Sequence, residues 1–440
     1  ADRPRHVLLI SIDTLRPDHL GCYGYDRPTS PFLDELANQG VVFEQAYATS
    51  PWTLPSHATM LTGLYPSHHG AYAVRQMLPD AVPTLQQMLG AAGFQSAGVV
   101  NSIYLATHAL DRGFGYFKYL KEDYAQRQPS DVTDEAIAWF DTQFDAQKPY
   151  FVFLHYYDVH SDYASLPDYE RMFVRPYAGD ITGNSRQLWE YRRGHRELSE
   201  ADLDHLRDLY DASIRQLDDE LKRLFATLDE RGLLSDTLVI ITSDHGEEFL
   251  EHGGVLHGQT QYEEVVRIPL IVRGPGVPAG GRVAAPVSLI DLVPTCLAVL
   301  GVEADQSAAF DGVNVAGLWQ GARIAERALY FEADHRYDFE LRMDVPGESR
   351  AVRLGRYKLH HDLGTSETML FDLGDDPDEM RDLARANAPA RDDLLTRLKE
   401  FVVEGIAQRE AIRPLSDADR RHLESLGYLG GGGGPDGDAP

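Results

Sequence analysis

Thr53 is the residue of this sequence that is best placed to act as a nucleophile. It opens the run TLPSHATMLTG (residues 53–63), which predicts a short helix that ends at the glycine. A hydroxyl at the entry to a helix lies near the positive end of the helix dipole, which favours an alkoxide and a bound anion, and a metal ion would strengthen the effect. The alternative is that Thr53 only caps the helix, since threonine is a good N-cap residue.

Three acidic or imidazole side chains follow two predicted strands. Asp13 comes directly after the apolar run His6–Ile12, and Asp244 and His245 come just after Thr237–Thr242. Both runs are rich in β-branched residues, which is typical of buried parallel strands. Residues at the carboxyl ends of such strands lie where α/β sheets bind their ligands. The alternative for Asp244 and His245 is an ordinary turn, in which the aspartate caps the next segment.

Strands and helices alternate along most of the chain. Two further strands are predicted at Ala97–Val100 and Tyr150–His155. Apolar residues spaced three and four apart predict helices between the strands, at Ser30–Gln39, Val82–Ala92, Asp131–Gln143 and Ala201–Arg231. This alternation predicts an α/β fold with a mostly parallel central sheet flanked by helices.

The motifs resemble those of a known family. The run from Thr53 resembles the sulfatase signature, in which Cys or Ser, any residue, Pro, any residue and Arg precede a helix that ends in Leu-Thr-Gly. The segment SDHGEE (residues 243–248) is similar to the metal-binding segment of the alkaline phosphatase superfamily. Near the end of the chain, Arg353–Lys358, Phe371–Leu373 and Asp376–Glu379 resemble the closing segment of sulfatase-family proteins. By this resemblance, the ligands of one divalent metal ion would be Asp13, Thr53, Asp244 and His245.

The sequence departs from the sulfatase pattern at its reactive residue. Sulfatases convert their Cys or Ser to formylglycine, a route that a threonine cannot take, so no formylglycine is expected. His245 replaces the usual Asn, and Thr14 stands where sulfatases carry a second Asp. Fewer carboxylates and one imidazole move the site from calcium toward manganese, zinc or iron, with manganese or zinc favoured. The pattern looks closer to phosphonate monoester hydrolases, phosphodiesterases and phosphoethanolamine transferases than to arylsulfatases.

Two histidines are candidates for contacting the substrate anion and for protonating the leaving group. His257 stands where sulfatases carry a lysine, and His160 lies in a strand-end segment whose second histidine faces the substrate in the family. The alternatives are a neutral surface histidine for His257 and a loop-bracing role for His160.

Further polar residues are placed near the substrate by the same resemblance. His57 takes the place of the signature arginine and is expected to orient Thr53 or touch the substrate, with a helix-surface role as the alternative. A second sulfatase signature is only half present: residues 93–98 match its opening, but residues 99–102 replace its lysine and histidine. Asn101 lies in that replaced stretch and is a candidate contact for the substrate anion. His155 is predicted to be a satisfied core histidine, and Asp158 is predicted to orient its neighbours rather than bind metal.

Composition narrows the class of protein. The chain has 440 residues, of which 43% are hydrophobic and 25% charged, as in a soluble globular protein. Its net charge of -28 does not favour binding to nucleic acid, and no apolar run is long enough to span a membrane. Cys22 and Cys296 are predicted to be isolated buried thiols. Because the chain starts at Ala1 without Met, a periplasmic or secreted location is expected if an export signal was removed, and a cytoplasmic one otherwise.

The chain is predicted to comprise three parts. Residues 1–330 form a catalytic domain, residues 331–429 form a small α+β C-terminal subdomain, and residues 430–440, which open with consecutive glycines, form a disordered tail. The segment Asp162–Gly194 is rich in Tyr and Arg and is expected to lie over the site, where an arginine would grip a second anionic group.

The resulting hypothesis is a metal-dependent hydrolase of small anionic esters. It would cleave phosphate or phosphonate mono- or diesters through a Thr53 alkoxide and a covalent intermediate. One alternative is a sulfatase that acts without formylglycine. The others are a phosphoethanolamine-type transferase and a non-catalytic relative that binds metal or anions.

Overall fold

A computed structural model describes residues 3–74, 76–121, 128–303, 309–338 and 343–405. The strands in chain order are β1 (His6–Ile12), β2 (Val41–Phe43), β3 (Ala46–Tyr47), β4 (Gln95–Val100), β5 (Tyr116–Tyr119), β6 (Tyr150–Tyr156), β7 (Thr237–Ser243), β8 (Glu248–Phe249), β9 (Val255–Leu256), β10 (Arg267–Ile268), β11 (Leu270–Arg273), β12 (Gly281–Val283), β13 (Val287–Ser288), β14 (Leu329–Asp338), β15 (Met343–Leu354), β16 (Tyr357–Asp362) and β17 (Thr368–Asp372).

The helices in chain order are α1 (Pro31–Asn38), α2 (Thr53–Thr62), α3 (Pro66–His69), α4 (Leu85–Ala91), α5 (Ile103–Thr107), α6 (Pro129–Thr142), α7 (Pro167–Phe173), α8 (Ser185–Arg192), α9 (Glu200–Glu230), α10 (Glu263–Val266), α11 (Leu292–Leu300) and α12 (Ala388–Gly405). Short 3-10 turns lie at Pro17–His19, Gly21–Tyr23, Leu289–Asp291 and Leu318–Gln320.

The main sheet has eight strands in the order β12-β2-β11-β7-β1-β6-β4-β5. Strands β7, β1, β6, β4 and β5 are parallel, and β11 is antiparallel to both of its neighbours. Ile12 at the end of β1 is level with Tyr156 in β6 and Ser243 in β7. The residues that follow these strand ends therefore meet at one edge of the sheet.

Both faces of the sheet are buried, which is why its central strands are apolar throughout. Alternate residues of β1 point to opposite faces, so that Leu8 and Ile10 pack in one core and Val7 and Leu9 in the other. Helices α1, α6 and α9 cover the first face, and α2, α4, α5 and α11 cover the second.

A second, antiparallel sheet forms the C-terminal part, in the order β14-β15-β16-β17. Its hairpin between β15 and β16 turns at Gly355, whose φ of 59° suits glycine. Helix α12 covers this sheet through Leu394, Leu398 and Phe401, and the same cluster includes Tyr65 from the larger part of the chain. The boundary near residue 330 stays a prediction, and the glycine-rich tail lies outside the described residues.

The predicted strands and helices are confirmed with small shifts at their ends. Helix α4 begins at Leu85 rather than Val82, because Thr84 and Gln87 form a capping box. The prediction for Cys22 was wrong: it lies in a short turn and is only partly buried, whereas Cys296 is buried.

Candidate metal centre and active site

Helix α2 presents Thr53 to the sheet edge. Every residue of the helix is buried, and Thr53 itself is only 1% exposed. Trp52 holds the N-cap position without a side-chain capping bond, and Thr53 is the first helical residue. The interpretation of Thr53 as a cap is therefore wrong. Its Oγ1 atom lies 3.5 Å from Nε2 of His245.

Two carboxylates and one imidazole converge beside Thr53. Nε2 of His245 lies 3.3 Å from Oδ2 of Asp244 and 3.6 Å from Oδ1 of Asp13. All three side chains are fully buried, and their ligand atoms lie within 4.8 Å of one another, close enough to share one metal ion. These are the residues that the sequence placed after β1 and β7.

Backbone contacts fix the orientation of Asp244 and His245. Oδ1 of Asp244 accepts hydrogen bonds from the backbone N–H groups of His245 at 3.0 Å and Thr14 at 3.3 Å. Thr14 adopts a left-handed φ of 56°, which is strained for a β-branched residue and turns the chain sharply after Asp13. Nδ1 of His245 is 3.0 Å from the carbonyl oxygen of Gly246, which directs Nε2 toward the carboxylates.

Two more imidazoles border this centre. Nε2 of His155 is 3.3 Å from Oδ2 of Asp13, and Nδ1 of His57 is 3.5 Å from Oδ2 of Asp244. His57, His155 and Asp244 form a second group that could hold a metal ion. His57 is fully buried, so its helix-surface alternative is wrong, and its Nδ1 is 2.8 Å from the backbone oxygen of Thr53. From the sequence, His155 was predicted to be a core histidine, and its contact with Asp13 was not predicted.

Asn101 holds His155 rather than projecting freely. Its Oδ1 atom is 3.1 Å from Nδ1 of His155 and accepts the backbone N–H of Tyr157 at 3.0 Å. The substrate contact assigned to Asn101 stays a prediction. Asp158 is buried, and neither metal-binding group among the described residues includes it.

A second layer contains the two candidate proton donors. The rings of His160 and His257 are 4.8 Å apart, and that of His257 is 4.4 Å from His245. His257 is 6% exposed, so the surface alternative is wrong, and its Nδ1 lies 2.9 Å from Oε1 of Glu247. The sequence missed Glu247, although it is part of the SDHGEE segment.

Neighbouring side chains fix the positions of these two rings. His160 stacks on Tyr157, whose hydroxyl is 3.1 Å from its Nε2 atom. Arg192 of α8 donates to the backbone oxygen of His257 at 2.9 Å, so the segment expected to lie over the site does reach it.

The inner residues strongly perturb one another's pKa values. Burial, together with the charge of Asp244, raises the pKa of Asp13 well above its ordinary value. Burial opposes ionisation of Asp244, but the charges of His245 and His57 hold its pKa below the usual range. Burial also opposes protonation of His245, yet Asp244 raises the pKa of that imidazole to about 9.

The surroundings of Asp13 indicate whether these residues suit a metal ion. Among the described residues, none donates a hydrogen bond to either of its carboxylate oxygens, although the side chain is fully buried next to another carboxylate. A buried anion without hydrogen bonds is costly, and a bound cation would remove that cost. Two carboxylates and one imidazole are side chains that bind divalent metal ions in proteins.

Comparison with known proteins identifies the family. A model of the sulfatase family matches residues 5–302, which is more than half of the chain. The chain belongs to the sulfatase family. A second model, for the C-terminal part of N-sulphoglucosamine sulphohydrolase, matches residues 251–408.

Its relatives include an arylsulfatase and a protein of the alkaline phosphatase superfamily. This sulfatase-family chain is 28% identical to human arylsulfatase A, over 91% of its own length and 87% of that protein. It is 27% identical to the multifunctional alkaline phosphatase superfamily protein PehA of Trinickia caryophylli, over 94% and 96%.

Solved structures show the same fold. The phosphonate monoester hydrolase of Silicibacter pomeroyi superposes with a TM-score of 0.72 at 23% identity, over 91% of this chain and 94% of that one. A protein solved with its substrate D-glucosamine-2-N,6-O-disulfate gives a TM-score of 0.76 at 21% identity, over 92% and 98%.

Membership of this family confirms the predicted enzyme class. The protein is an ester hydrolase of the sulfatase superfamily, whose members depend on a metal ion. Within the described part of the chain, every helix is too short or too polar to span a membrane.

Proposed function

We propose that this protein hydrolyses phosphate or phosphonate esters, as mono- or diesters, with Thr53 as the nucleophile. The observation that carries the proposal is the position of the Thr53 hydroxyl, 3.5 Å from Nε2 of His245. A hydroxyl at the start of a buried helix and beside a candidate metal centre is placed for attack, whereas a protein that only binds anions does not need it.

Asp13, Thr53, Asp244 and His245 would hold the divalent cation, with manganese or zinc favoured. When bound there, the cation would favour the ionised hydroxyl and offset the negative charge of the phosphoryl group.

The reaction would use the side chains of this chain in two displacements. The Thr53 oxygen attacks phosphorus, the bond from phosphorus to the leaving oxygen breaks, and His160 or His257 gives that oxygen a proton. Water then gives a proton to the same histidine and attacks phosphorus, the bond from phosphorus to Thr53 breaks, and Thr53 leaves as the alkoxide that began the cycle. His57 would support the reaction from its position beside Thr53, and Asn101 would support it through its contact with His155.

Phosphorus is favoured over sulfur by the nature of the intermediate. Formylglycine lets a sulfated enzyme break down by C–O cleavage, whereas a threonine sulfate requires a second displacement at sulfur. A sulfatase that works without formylglycine is the second candidate, because arylsulfatase A is among the relatives.

The proposal is tested by measuring the turnover of four p-nitrophenyl esters: the phosphate, a phosphate diester, the phenylphosphonate and the sulfate. The protein is stripped of metal and refilled with manganese, zinc or calcium. We expect the phosphorus esters to be turned over with a transition metal. Thr53→Val, which removes only the hydroxyl, should lower turnover by roughly a thousandfold or more.

Thr53→Ser is the matched control, since it keeps the hydroxyl and should keep measurable turnover. Mass spectrometry of the quenched enzyme should find a phosphoryl group on Thr53. Faster turnover of the sulfate ester than of any phosphorus ester would select the sulfatase instead. Full activity in Thr53→Val would exclude Thr53 as the nucleophile.

A further inference from the structure

A cavity of about 780 Å³ opens between the main sheet and the C-terminal sheet. Its walls come from residues 44–47, the start of β10, β12, the segment before β14, and the hairpin between β15 and β16. None of the residues that line it belongs to the candidate metal centre. The cavity is therefore separate from the site of the proposed reaction.

Arginine dominates the charged residues of this cavity, although the chain as a whole has a net charge of -28. The arginines that line it are Arg267, Arg282, Arg327, Arg353 and Arg356. The acidic residues that line it are Glu44, Glu263 and Glu326. A concave surface with an excess of positive charge attracts anions.

Two of these arginines have no carboxylate partner among the described residues. Arg353 is only 6% exposed and donates to the Tyr47 hydroxyl, the Gln45 side-chain oxygen and the backbone oxygen of Gly355. Arg267 donates to the backbone oxygen of Glu44 at 3.0 Å.

The other three arginines are neutralised. Arg282 pairs with Glu44, Arg327 with Asp291, and Arg356 with Asp372 and Asp375. Of the lining carboxylates, Glu44 pairs with Arg282 and Glu263 with Lys358, whereas Glu326 forms no ion pair among the described residues. The excess of positive charge in the cavity therefore comes from Arg267 and Arg353. A buried guanidinium that lacks a counter-charge is costly, and a bound oxyanion would stabilise it. The guanidinium can bind such an oxyanion through two parallel hydrogen bonds.

Tyr47 brings the two arginines to the same wall. It pairs with Arg267 across β3 and β10, and the Arg353 guanidinium carbon lies 4.8 Å above its ring. The cavity is also lined by apolar side chains, among them Pro286, Ile324 and Leu329. Apolar walls and this volume suit an organic molecule better than a bare ion.

We propose that this cavity binds a small organic phosphate or sulfate, with its oxyanion held by Arg267 and Arg353. The site is independent of the proposed reaction. Arg353 is the first residue of the hairpin motif Arg353–Lys358, so the motif would have a binding role in addition to its turn.

The proposal is tested by isothermal titration calorimetry on the full-length, metal-loaded Thr53→Val protein. The ligands are glucose 6-phosphate and glucose 6-sulfate. The substitution suppresses turnover during the titration. We expect a saturable binding event that Arg267→Gln weakens about tenfold, the effect of losing one charge-assisted hydrogen bond. Arg397→Gln, which removes an exposed arginine on α12, should leave it unchanged. Glucose should not bind, and inorganic phosphate and sulfate should bind more weakly than their esters.

Arg353→Lys provides a second variant that keeps the charge but loses the planar fork, and it should also weaken binding. Melting temperatures check that each variant is folded. If Asp244→Ala abolishes all binding while Arg267→Gln changes nothing, the anion binds only at the metal centre and the proposal is overturned.

Turnover of the p-nitrophenyl esters by Arg267→Gln in the otherwise unchanged enzyme should equal that of the parent. This result separates the two proposals. If Thr53 proved not to be the nucleophile, the sugar esters would still bind in the cavity and Arg267→Gln would still weaken that binding. Failure of both sugar esters to bind would overturn the cavity proposal while the turnover data stand.

Discussion

The imidazole of His155 depends on the amide oxygen of Asn101, which also accepts the backbone N–H of Tyr157. Residues inside an active site are often held in this way, because a ring that can rotate presents the wrong nitrogen to its partner. Here the other nitrogen of His155 lies 3.3 Å from Asp13. Asn101 is thus placed to position a residue of the candidate metal centre.

Asn101→Ala should lower the stability of the protein and the kcat of ester hydrolysis together. The substitution leaves the N–H of Tyr157 and a nitrogen of His155 without their acceptor inside the fold, which costs about 1–3 kcal/mol. Urea unfolding and steady-state kinetics measure the two effects. Asn101→Asp, which keeps an acceptor oxygen, is the matched control. A large rise in KM with unchanged stability would instead support the direct substrate contact that the sequence suggested.

The loop after β7 carries two of the four residues assigned to the candidate metal centre, Asp244 and His245. It packs against α10 at Gly246, whose N–H donates to the backbone oxygen of Val265 at 2.6 Å. A Cβ atom at Gly246 would lie 2.1 Å from the backbone oxygen of Glu264. The close approach of two backbones therefore sets the position of Asp244 and His245.

Gly246→Ala should destabilise the protein by about 1–3 kcal/mol and weaken metal binding, because the loop must move away from α10. Gly90→Ala serves as the comparison, since nothing lies within 4 Å of a Cβ atom at that exposed position in α4. It should stabilise the protein by up to about 1 kcal/mol. Thermal unfolding and metal titration of both variants measure the difference. Equal metal affinity in Gly246→Ala and the parent would show that the loop tolerates the shift.

At the scale of the whole molecule, a buried ionic network joins the C-terminal sheet to the catalytic part. Lys358 of β16 is fully buried and pairs with Glu263 at 2.9 Å and Glu379 at 3.1 Å. Glu379 also contacts His360 at 2.7 Å and accepts the backbone N–H of Glu263 at 2.7 Å. Since Glu263 begins α10, the network connects the second sheet to the helix that supports the metal-binding loop.

The stability of the molecule should depend on Glu379 in acid. Burial opposes its ionisation, but Lys358 and His360 lower the pKa of Glu379 from 4.5 to about 2. A folded-state pKa below the unfolded value means that the ionised group stabilises the protein above about pH 4.5 and that this contribution is lost as the pH falls toward about 2. Glu379→Gln should therefore cost roughly 3 kcal/mol at neutral pH, and less as the pH falls through this window.

Urea unfolding of the parent and of Glu379→Gln at a series of pH values tests this expectation. Asp375→Asn is the control, because it removes an exposed carboxylate near the same turn. A difference between parent and Glu379→Gln that stays constant from neutral to acid pH would rule out the linkage.

Local sequence patterns determined much of this protein. Apolar strands and the residues directly after them are encoded over a few positions, so Asp13, Asp244 and His245 could be placed at one sheet edge from periodicity. The helical period likewise fixed α1, α6 and α9 close to their observed bounds. The family resemblance came from short motifs that keep their order along the chain.

Only the tertiary structure decided which distant residues meet. Asn101 and His155 are 54 positions apart, and Tyr47 and Arg353 are 306 apart. No local pattern encodes such contacts, since they follow from the order of strands in the sheet and from the docking of the second sheet. The sequence determined the chemistry available at the strand ends. The tertiary structure brings His155 to the metal centre, places Glu247 beside His257, and brings Arg267 and Arg353 to one cavity. Most of these contacts depend on packing between segments that are far apart in the chain.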